Sequence, residues 1–437
     1  MQQLAPDQSA EFLLANAREK FSDGTLPAKV FNHPGLHALE IERIFNKAWI
    51  FLGHETEIPN PGDYVLRNIA NDEFIVVRDA SGKVRVLLNS CRHRGMKVCN
   101  ASMGNAAYFT CPYHGWGYKN TGELSAVPHE KEIYGERELD KAASGLLPAP
   151  KSDIFRGWIF ASLNRDAPSL QDYLGDMLWY LDFYTNKSPA GLTVVGAPQR
   201  WLVHANWKLG AANFIGDGYH TSTSHLSAVK VGTIPGPAHF LLDGVQVTAG
   251  AGGLGFRKMP PGTGATRGYP DNIMKQFDEK HQEVIKRGYF PSHGGIFPNF
   301  SFLAAAAIIN AGQPPTPYFT VRVWHPIASD TIEVWSWLLI EKDAPEALKQ
   351  ASYASYVFSF GSSGTLEQDD TENWTSITAS ARSHSANDQH LNYRMGTNLL
   401  QPIADWPGPG KAYPLDYTEA NERAFYGTWL RYMEQRA

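Results

Sequence analysis

Cysteine is scarce in this chain of 437 residues: Cys91, Cys99 and Cys111 are all it has. Three thiols cannot build a disulfide framework or the four-cysteine cage of a ferredoxin cluster, and so low a number fits a reducing compartment. Apolar runs of membrane-spanning length are missing, and the opening MQQLAPDQSAEFLL has neither the basic start nor the apolar stretch of a signal peptide. Runs of like charge are missing too. The 39 basic residues stand against 44 acidic ones, which leaves no electrostatic footprint for nucleic acid or an anionic membrane. Internal repeats and low-complexity arrays do not occur. The expectation is a soluble, cytoplasmic protein with a large core and two domains.

What the chain does have is a dense set of metal donors between Cys91 and Trp116. CRHRG and CPYHGW place Cys91, His93, Cys111 and His114 as two short pairs, Cys-x-His and Cys-x-x-His, with seventeen residues between them. Each pair can reach one metal centre from a single loop. Two thiolates and two imidazoles suit either a tetrahedral zinc or a two-iron, two-sulfide cluster in which the histidines hold one iron. Gly95, Pro112, Gly115 and Trp116 favour the bulkier cluster, because they let the loops fold back closely and cover it. Cys99 has no partner in either pair and reads as a small packing residue.

The flanking sequence supplies two helical segments first. In the second, Ile41, Ile44, Phe45 and Ala48 repeat at i, i+3, i+4 and i+7 behind Pro34 and Gly35. Short β-like runs follow at Asp63 to Ile69, Glu73 to Arg78 and Lys83 to Leu88, and RGWIFASLN, from Arg156 to Asn164, reads as a closing strand. These runs predict a small all-β domain over 48–165 inserted between a helical piece, 1–47, and the remainder, 166–437. Ser169 to Tyr184 reads as helix, and LTVV and RWLVHANWKL read as strands.

A second group of donors lies in AANFIGDGYHTSTSH. With Asn213 to His220 helical, Asn213, Asp217 and His220 would share one face at i, i+4 and i+7. His225 falls about 140° further round at the usual 100° per residue, so it joins them only where the helix bends or ends. Two histidines this close invite a site of two histidines and one carboxylate, which leaves iron positions open. LEQDDTENW, after a helical segment from near Pro345 and the break at Gly361 to Gly364, offers Asp369 and Asp370 as the third donor.

These segments together resemble Rieske non-haem iron oxygenases, and from about residue 10 to 435 the chain is similar to the large catalytic subunit of aromatic-ring-hydroxylating dioxygenases of the naphthalene and biphenyl group. The resemblance implies an α+β fold: an all-β Rieske [2Fe-2S] domain inserted into a catalytic domain with a curved antiparallel sheet flanked by helices. It implies a Rieske [2Fe-2S] cluster on Cys91, His93, Cys111 and His114, and mononuclear Fe(II) on His220, His225 and Asp370, with Asp369 the fallback. Asp217 would orient His220 and reach His114 across a subunit interface, and Asn213 would sit near the iron without a firm bond. O2 is the implied co-substrate. A small beta subunit in an α3β3 assembly, a ferredoxin and an NAD(P)H-dependent reductase are the implied partners. The implied pocket includes Phe214, Thr221, Phe302, Tyr318, Thr320, Val323, Phe360 and Leu366.

With no arginine or lysine placed to face the iron, the expected substrate is a neutral polycyclic or biaryl hydrocarbon, dihydroxylated in cis. The alternatives are an aromatic acid of the phthalate or salicylate type, or a non-catalytic zinc or electron-transfer protein. Gly250, Gly252 and Gly255 formally match a dinucleotide fingerprint, but the following Arg257 to Pro261 cannot open the helix that a pyrophosphate needs. Residues 249–270 read instead as a mobile loop, a candidate lid. AGQPPTP, 311–317, reads as another loop.

Overall fold

The computed structural model describes residues 9–135, 139–234, 244–258 and 271–434. Two compact units result, one of Phe45–Pro168 and one of Met1–Ile44 with Ser169–Ala437.

The smaller unit is built from three antiparallel sheets. Asp63–Ile69, Asp72–Arg78, Val84–Leu88 and Met103–Asn105 form one; Tyr108–Thr110, Gly117–Lys119 and Leu124–Ala126 form a second; Lys151–Phe155, Trp158–Ser162 and Ile50–His54 form the third. Burial on both faces drives this arrangement. In Asp72–Arg78, Phe74, Ile75, Val76 and Val77 are all buried, as befits the central strand of a small sandwich. Cys99 packs with Tyr64, Leu66, Val98 and Phe109 in that core.

In the larger unit a nine-stranded sheet runs antiparallel throughout. From one edge its order is Leu192–Val194, Thr331–Glu341, Thr316–Ala328, Phe300–Ala307, Tyr289–Ile296, Gly252–Lys258, Gly244–Ala249 and Lys411–Pro414, with Gln199–Val203 also paired to Thr331–Glu341. Helices Trp207–Gly216, Glu346–Phe360, Thr365–Ala381 and Ala420–Glu434 contact this sheet or one another.

Several local expectations change. Ser169 to Tyr184 is two helices, Leu170–Leu174 and Met177–Thr185, because Gly175 at φ +52° stops the first. In RWLVHANWKL only Gln199–Val203 is strand; Asn206 caps Lys208 N and starts a helix at Trp207. The segment 249–258 is no lid: Gly244–Ala249 and Gly252–Lys258 form a hairpin turned at Gly250, whose φ is +50°. Residues 259–270 lie outside the described residues.

A buried ion pair ties the N-terminal piece to this unit. Glu40 accepts hydrogen bonds from Lys208 Nζ at 2.5 Å and from the indoles of Trp207 and Trp429, each at 2.8 Å. Burial pushes the Lys208 ammonium down, and Glu40 opposes that shift. Removing one partner of such a pair strands a charge, so Glu40→Ala is expected to cost about 3–5 kcal/mol, read as a lower midpoint in denaturant.

Candidate functional site

The first group of donors sits on two loops with the same backbone design. Cys91 N donates to Met96 O at 2.8 Å and Gly95 N to Cys91 O at 2.8 Å. Cys111 N donates to Trp116 O at 2.8 Å and Gly115 N to Cys111 O at 3.0 Å. Gly95 and Gly115 make these reversals at φ +75° and +76°, where a side chain would be strained. Both thiols are buried and unpaired. The His93 and His114 rings lie 4.6 Å apart, and the His93 ring stacks on Trp116 at 5.0 Å. His93 Nδ1 is buried with no hydrogen-bond partner among the described residues, and the Tyr118 hydroxyl lies 3.1 Å from Cys91 Sγ. Buried thiols, an orphaned imidazole nitrogen and a hydroxyl beside sulfur fit an iron–sulfur cluster.

The second group forms where the helix Trp207–Gly216 ends. Asp217 and His220 therefore do not continue its face: Asp217 is the C-cap, and a new turn, Thr221–Ser224, separates His220 from His225. Gly218 is needed here, because a Cβ would come within 1.9 Å of the Asp416 carbonyl oxygen. The break brings the two imidazoles together, with ring centroids 5.1 Å apart.

Asp370, on the helix Thr365–Ala381, completes the group. One donor atom from each of His220, His225 and Asp370 lies within 4.8 Å of the others. Nε2 of His220 and of His225 stand 3.1 and 3.4 Å from Asp370 Oδ1, yet that oxygen has no hydrogen-bond partner. The three donors converge on a point rather than pairing with one another, as metal ligands do. The other ring nitrogens are taken. His220 Nδ1 lies 2.5 Å from the Asp217 carbonyl oxygen, and His225 Nδ1 lies 3.1 Å from Asp369 Oδ2. Asp369 thus holds a histidine rather than a place among the three donors.

Electrostatics follow the same pattern. Burial would raise the Asp370 carboxyl, but His220 and His225 overcome it and hold it well below its ordinary value. Burial likewise opposes charge on His220, and Asp217 with Asp370 outweighs it, raising that imidazole well above its usual range. A metal cation would take the place of the proton. The carboxylate beneath each imidazole keeps Nε2 free for a metal, so Asp369→Asn is expected to weaken iron binding by about 10–100-fold, read by competition with a chelator.

A cavity of ≈ 760 Å³ opens on these donors. That lies within the range of roughly 300–1,000 Å³ usual for small-molecule sites. Asn213, Phe214, Thr221, Tyr318, Phe360 and Leu366 line it. Asn213 Oδ1 accepts from Trp374 Nε1 at 3.4 Å. Phe302, Thr320 and Val323 lie off the wall. Thr320 turns to the helix side and bonds Ser336 Oγ at 3.1 Å, and the Phe302 ring packs on Tyr184 at 4.8 Å. Leu303, the register partner of Thr320, and Phe319, on the same face as Phe302, line the cavity, so residues of both faces of these strands reach it and alternation does not decide the lining.

Arg322, next but one to Thr320, ties the wall together. It pairs with Glu367 and donates to the Phe360 carbonyl at 2.6 Å, so the end of one helix and the start of the helix bearing Asp370 share one cation. Burial, opposed by Arg322, pushes Glu367 up to about 7. Sequence reading also missed Arg257, Lys187, His293 and Pro314, all on the cavity wall. The sequence leads to the expectation that no arginine or lysine faces the iron; two cations do stand on the wall of the cavity that opens on the donors. The hairpin pairing with Gly244–Ala249 fixes the direction of Arg257, which its neighbours Phe256 and Lys258 leave open in the sequence.

With this geometry in hand, comparisons with known proteins agree across both units. Residues 48–142 match the Rieske [2Fe-2S] domain, and residues 170–435 match the catalytic domain of the ring hydroxylating alpha subunit. The N,N-dimethyl phenylurea N-demethylase subunit alpha of Sphingobium sp. is 37% identical, covering 96% of this chain and 94% of that protein. The biphenyl dioxygenase subunit alpha of Metapseudomonas furukawaii is 36% identical, covering 94% and 91%. The crystal structure of naphthalene 1,2-dioxygenase from Rhodococcus sp. bound to indole superposes with a TM-score of 0.92 at 46% identity, covering 98% of this chain and 99% of that one. The two matched domains, each with its convergent donors, mean that the chain uses a Rieske [2Fe-2S] cluster, a mononuclear iron and O2. Among the described residues no helix is long and apolar enough to cross a membrane. The chain belongs to the Rieske non-haem iron ring-hydroxylating dioxygenases, as a catalytic alpha subunit.

Proposed function

We propose that this chain is the terminal oxygenase component that cis-dihydroxylates an aromatic ring, with a neutral polycyclic or biaryl skeleton as its substrate. The observation that carries this reading is the convergence of His220, His225 and Asp370 on one point at the wall of a ≈ 760 Å³ cavity. Named relatives act on biphenyl and naphthalene, which supports a ring system of that size. When bound, the cluster supplies single electrons and the iron supplies dioxygen activation, placing both oxygen atoms on one edge of the ring.

The protein's part is positioning. His220, His225 and Asp370 would hold the iron, and Asp217 and Asp369 set the two imidazoles. Asn213 lines the same cavity, restrained by Trp374. Phe214, Thr221, Tyr318, Phe360 and Leu366 present the ring and exclude water. Cys91, His93, Cys111 and His114 hold the cluster. Asp217 keeps 34% of its side chain exposed, which suits contact with His114 of a neighbouring subunit in an α3β3 assembly with a small beta subunit. Reducing equivalents come from NAD(P)H through a reductase and a ferredoxin, in the cytoplasm.

Metal analysis tests this reading. About three irons and two acid-labile sulfides per chain are expected, and zinc alone would overturn it. An aromatic acid is the second reading, favoured by the presence of Arg257 and Lys187 on the cavity wall.

A further inference from the structure

The strand Gly252–Lys258 alternates, so Gly253, Gly255 and Arg257 share one face and Leu254 and Phe256 the other. Phe256 packs on Phe183 at 5.3 Å and Tyr180 at 6.0 Å. The glycine face is crowded by polar groups: a Cβ on Gly255 would come within 2.3 Å of His293 Nε2 and 2.4 Å of Asp416 Oδ1. Glycine there makes room for an acid and an imidazole beneath the strand. Arg257, two residues on, reaches the cavity wall.

Its guanidinium is restrained but not consumed. Asp416 Oδ2 stands 3.8 Å from Arg257 Nε, in ion-pair range and too far to accept a hydrogen bond, and Nε is buried without a hydrogen-bond partner among the described residues. Asp416 is fully buried and held in turn: its Oδ2 lies 3.4 Å from His293 Nε2, and His293 Nδ1 lies 3.0 Å from the Phe214 carbonyl oxygen. The acid is thereby braced against the helix that carries Asn213. On the same cavity the Tyr318 hydroxyl is buried beside Ser359 without a well-formed hydrogen bond. Arg257 keeps 19% of its side chain exposed and lines the cavity, so a bare hydrocarbon covers a cation without answering it, which is costly, whereas an acceptor oxygen answers it.

Resting on the reading that the cavity takes an aromatic substrate, we infer that Arg257 is a specificity-determining residue, which binds an acceptor oxygen, of a carboxylate or a carbonyl, carried by that ring system. Arginine suits either source, through a two-pronged fork for carboxylate and a single charge-assisted bond for carbonyl.

The test is anaerobic titration of the reduced oxygenase with naphthalene, naphthoate and acetylnaphthalene, for the native chain, Arg257→Met and Arg257→Lys, followed by a single turnover of each mixture. At least one oxygen-bearing probe is expected to bind native protein roughly tenfold or more tighter than naphthalene. Arg257→Met brings that ratio near unity with iron content and cluster spectrum unchanged, and Arg257→Lys restores part of it. Preference for naphthoate alone identifies a carboxylate; preference for both identifies a carbonyl. Equal binding of all three probes by native protein, or an unchanged ratio in Arg257→Met, overturns the inference. Formation of no diol from any probe overturns the dioxygenase reading instead, and the binding ratio still judges Arg257.

Discussion

Asp370→Ala is expected to lower iron from about three to about two atoms per chain and to abolish product formation, while the cluster keeps its visible absorption. The side chain is 1% exposed, and its Oδ1 faces the Nε2 atoms of His220 and His225 at 3.1 and 3.4 Å without bonding either. Among the described residues no other carboxylate joins the two histidines in such a group, and Asp369, its neighbour, is engaged with His225 Nδ1 at 3.1 Å. Two histidines alone hold iron poorly, and the chemistry belongs to the metal, so turnover should fall by on the order of 10³-fold or more. Paired iron analysis and product yield read the result. A variant that retains its third iron and its activity would place the carboxylate donor elsewhere.

Asp217→Ala is expected to act differently, leaving both metal centres filled while slowing reoxidation of the reduced cluster by about 10–100-fold. Asp217 cradles His220 three times: its carboxylate accepts from His220 N at 3.1 Å and stands 3.4 Å from Nδ1, and its carbonyl oxygen lies 2.5 Å from Nδ1. Both carboxylate contacts are lost in the variant, and the carbonyl contact to Nδ1 remains to hold the imidazole, so iron binding is expected to survive. What disappears is the partly exposed carboxylate proposed above to contact the donor histidine of a neighbouring subunit. Stopped-flow absorbance of reduced protein mixed with substrate and oxygen follows the cluster directly. Reoxidation at the native rate would exclude Asp217 from the electron path. A parallel loss of the third iron would assign it to ligand support alone.

Local chemistry was the legible part of this molecule. The pairs Cys91/His93 and Cys111/His114 are short-range patterns, and the glycines that close their loops are visible beside them. His220 and His225 were legible as a pair, although the helix expected through Asp217 stops at Gly216, because Gly218 must lie against the Asp416 backbone, contributed by a distant segment. Asp370 entered through resemblance; nothing in LEQDDTENW separates it from Asp369 except which face of the helix Thr365–Ala381 meets the histidines. Long-range register was the illegible part. Thr320 misses the cavity although its register partner Leu303 lines it, because Thr320 is engaged by Ser336 of the neighbouring strand, and the Phe302 ring is taken up by Tyr184, contacts made by residues distant in sequence. Arg257 was hidden for the same reason, inside a glycine-rich stretch that imitates a loop and folds as the middle of a sheet.

Single turnover of the anaerobically reduced protein, mixed with labelled oxygen and either naphthalene or naphthoate, tests the central claim most directly. A cis-diol carrying both labelled atoms on one ring edge is the result expected of a dioxygenase built on His220, His225 and Asp370. Product bearing a single labelled atom, or none from either arene in protein that holds its full iron, would contradict it.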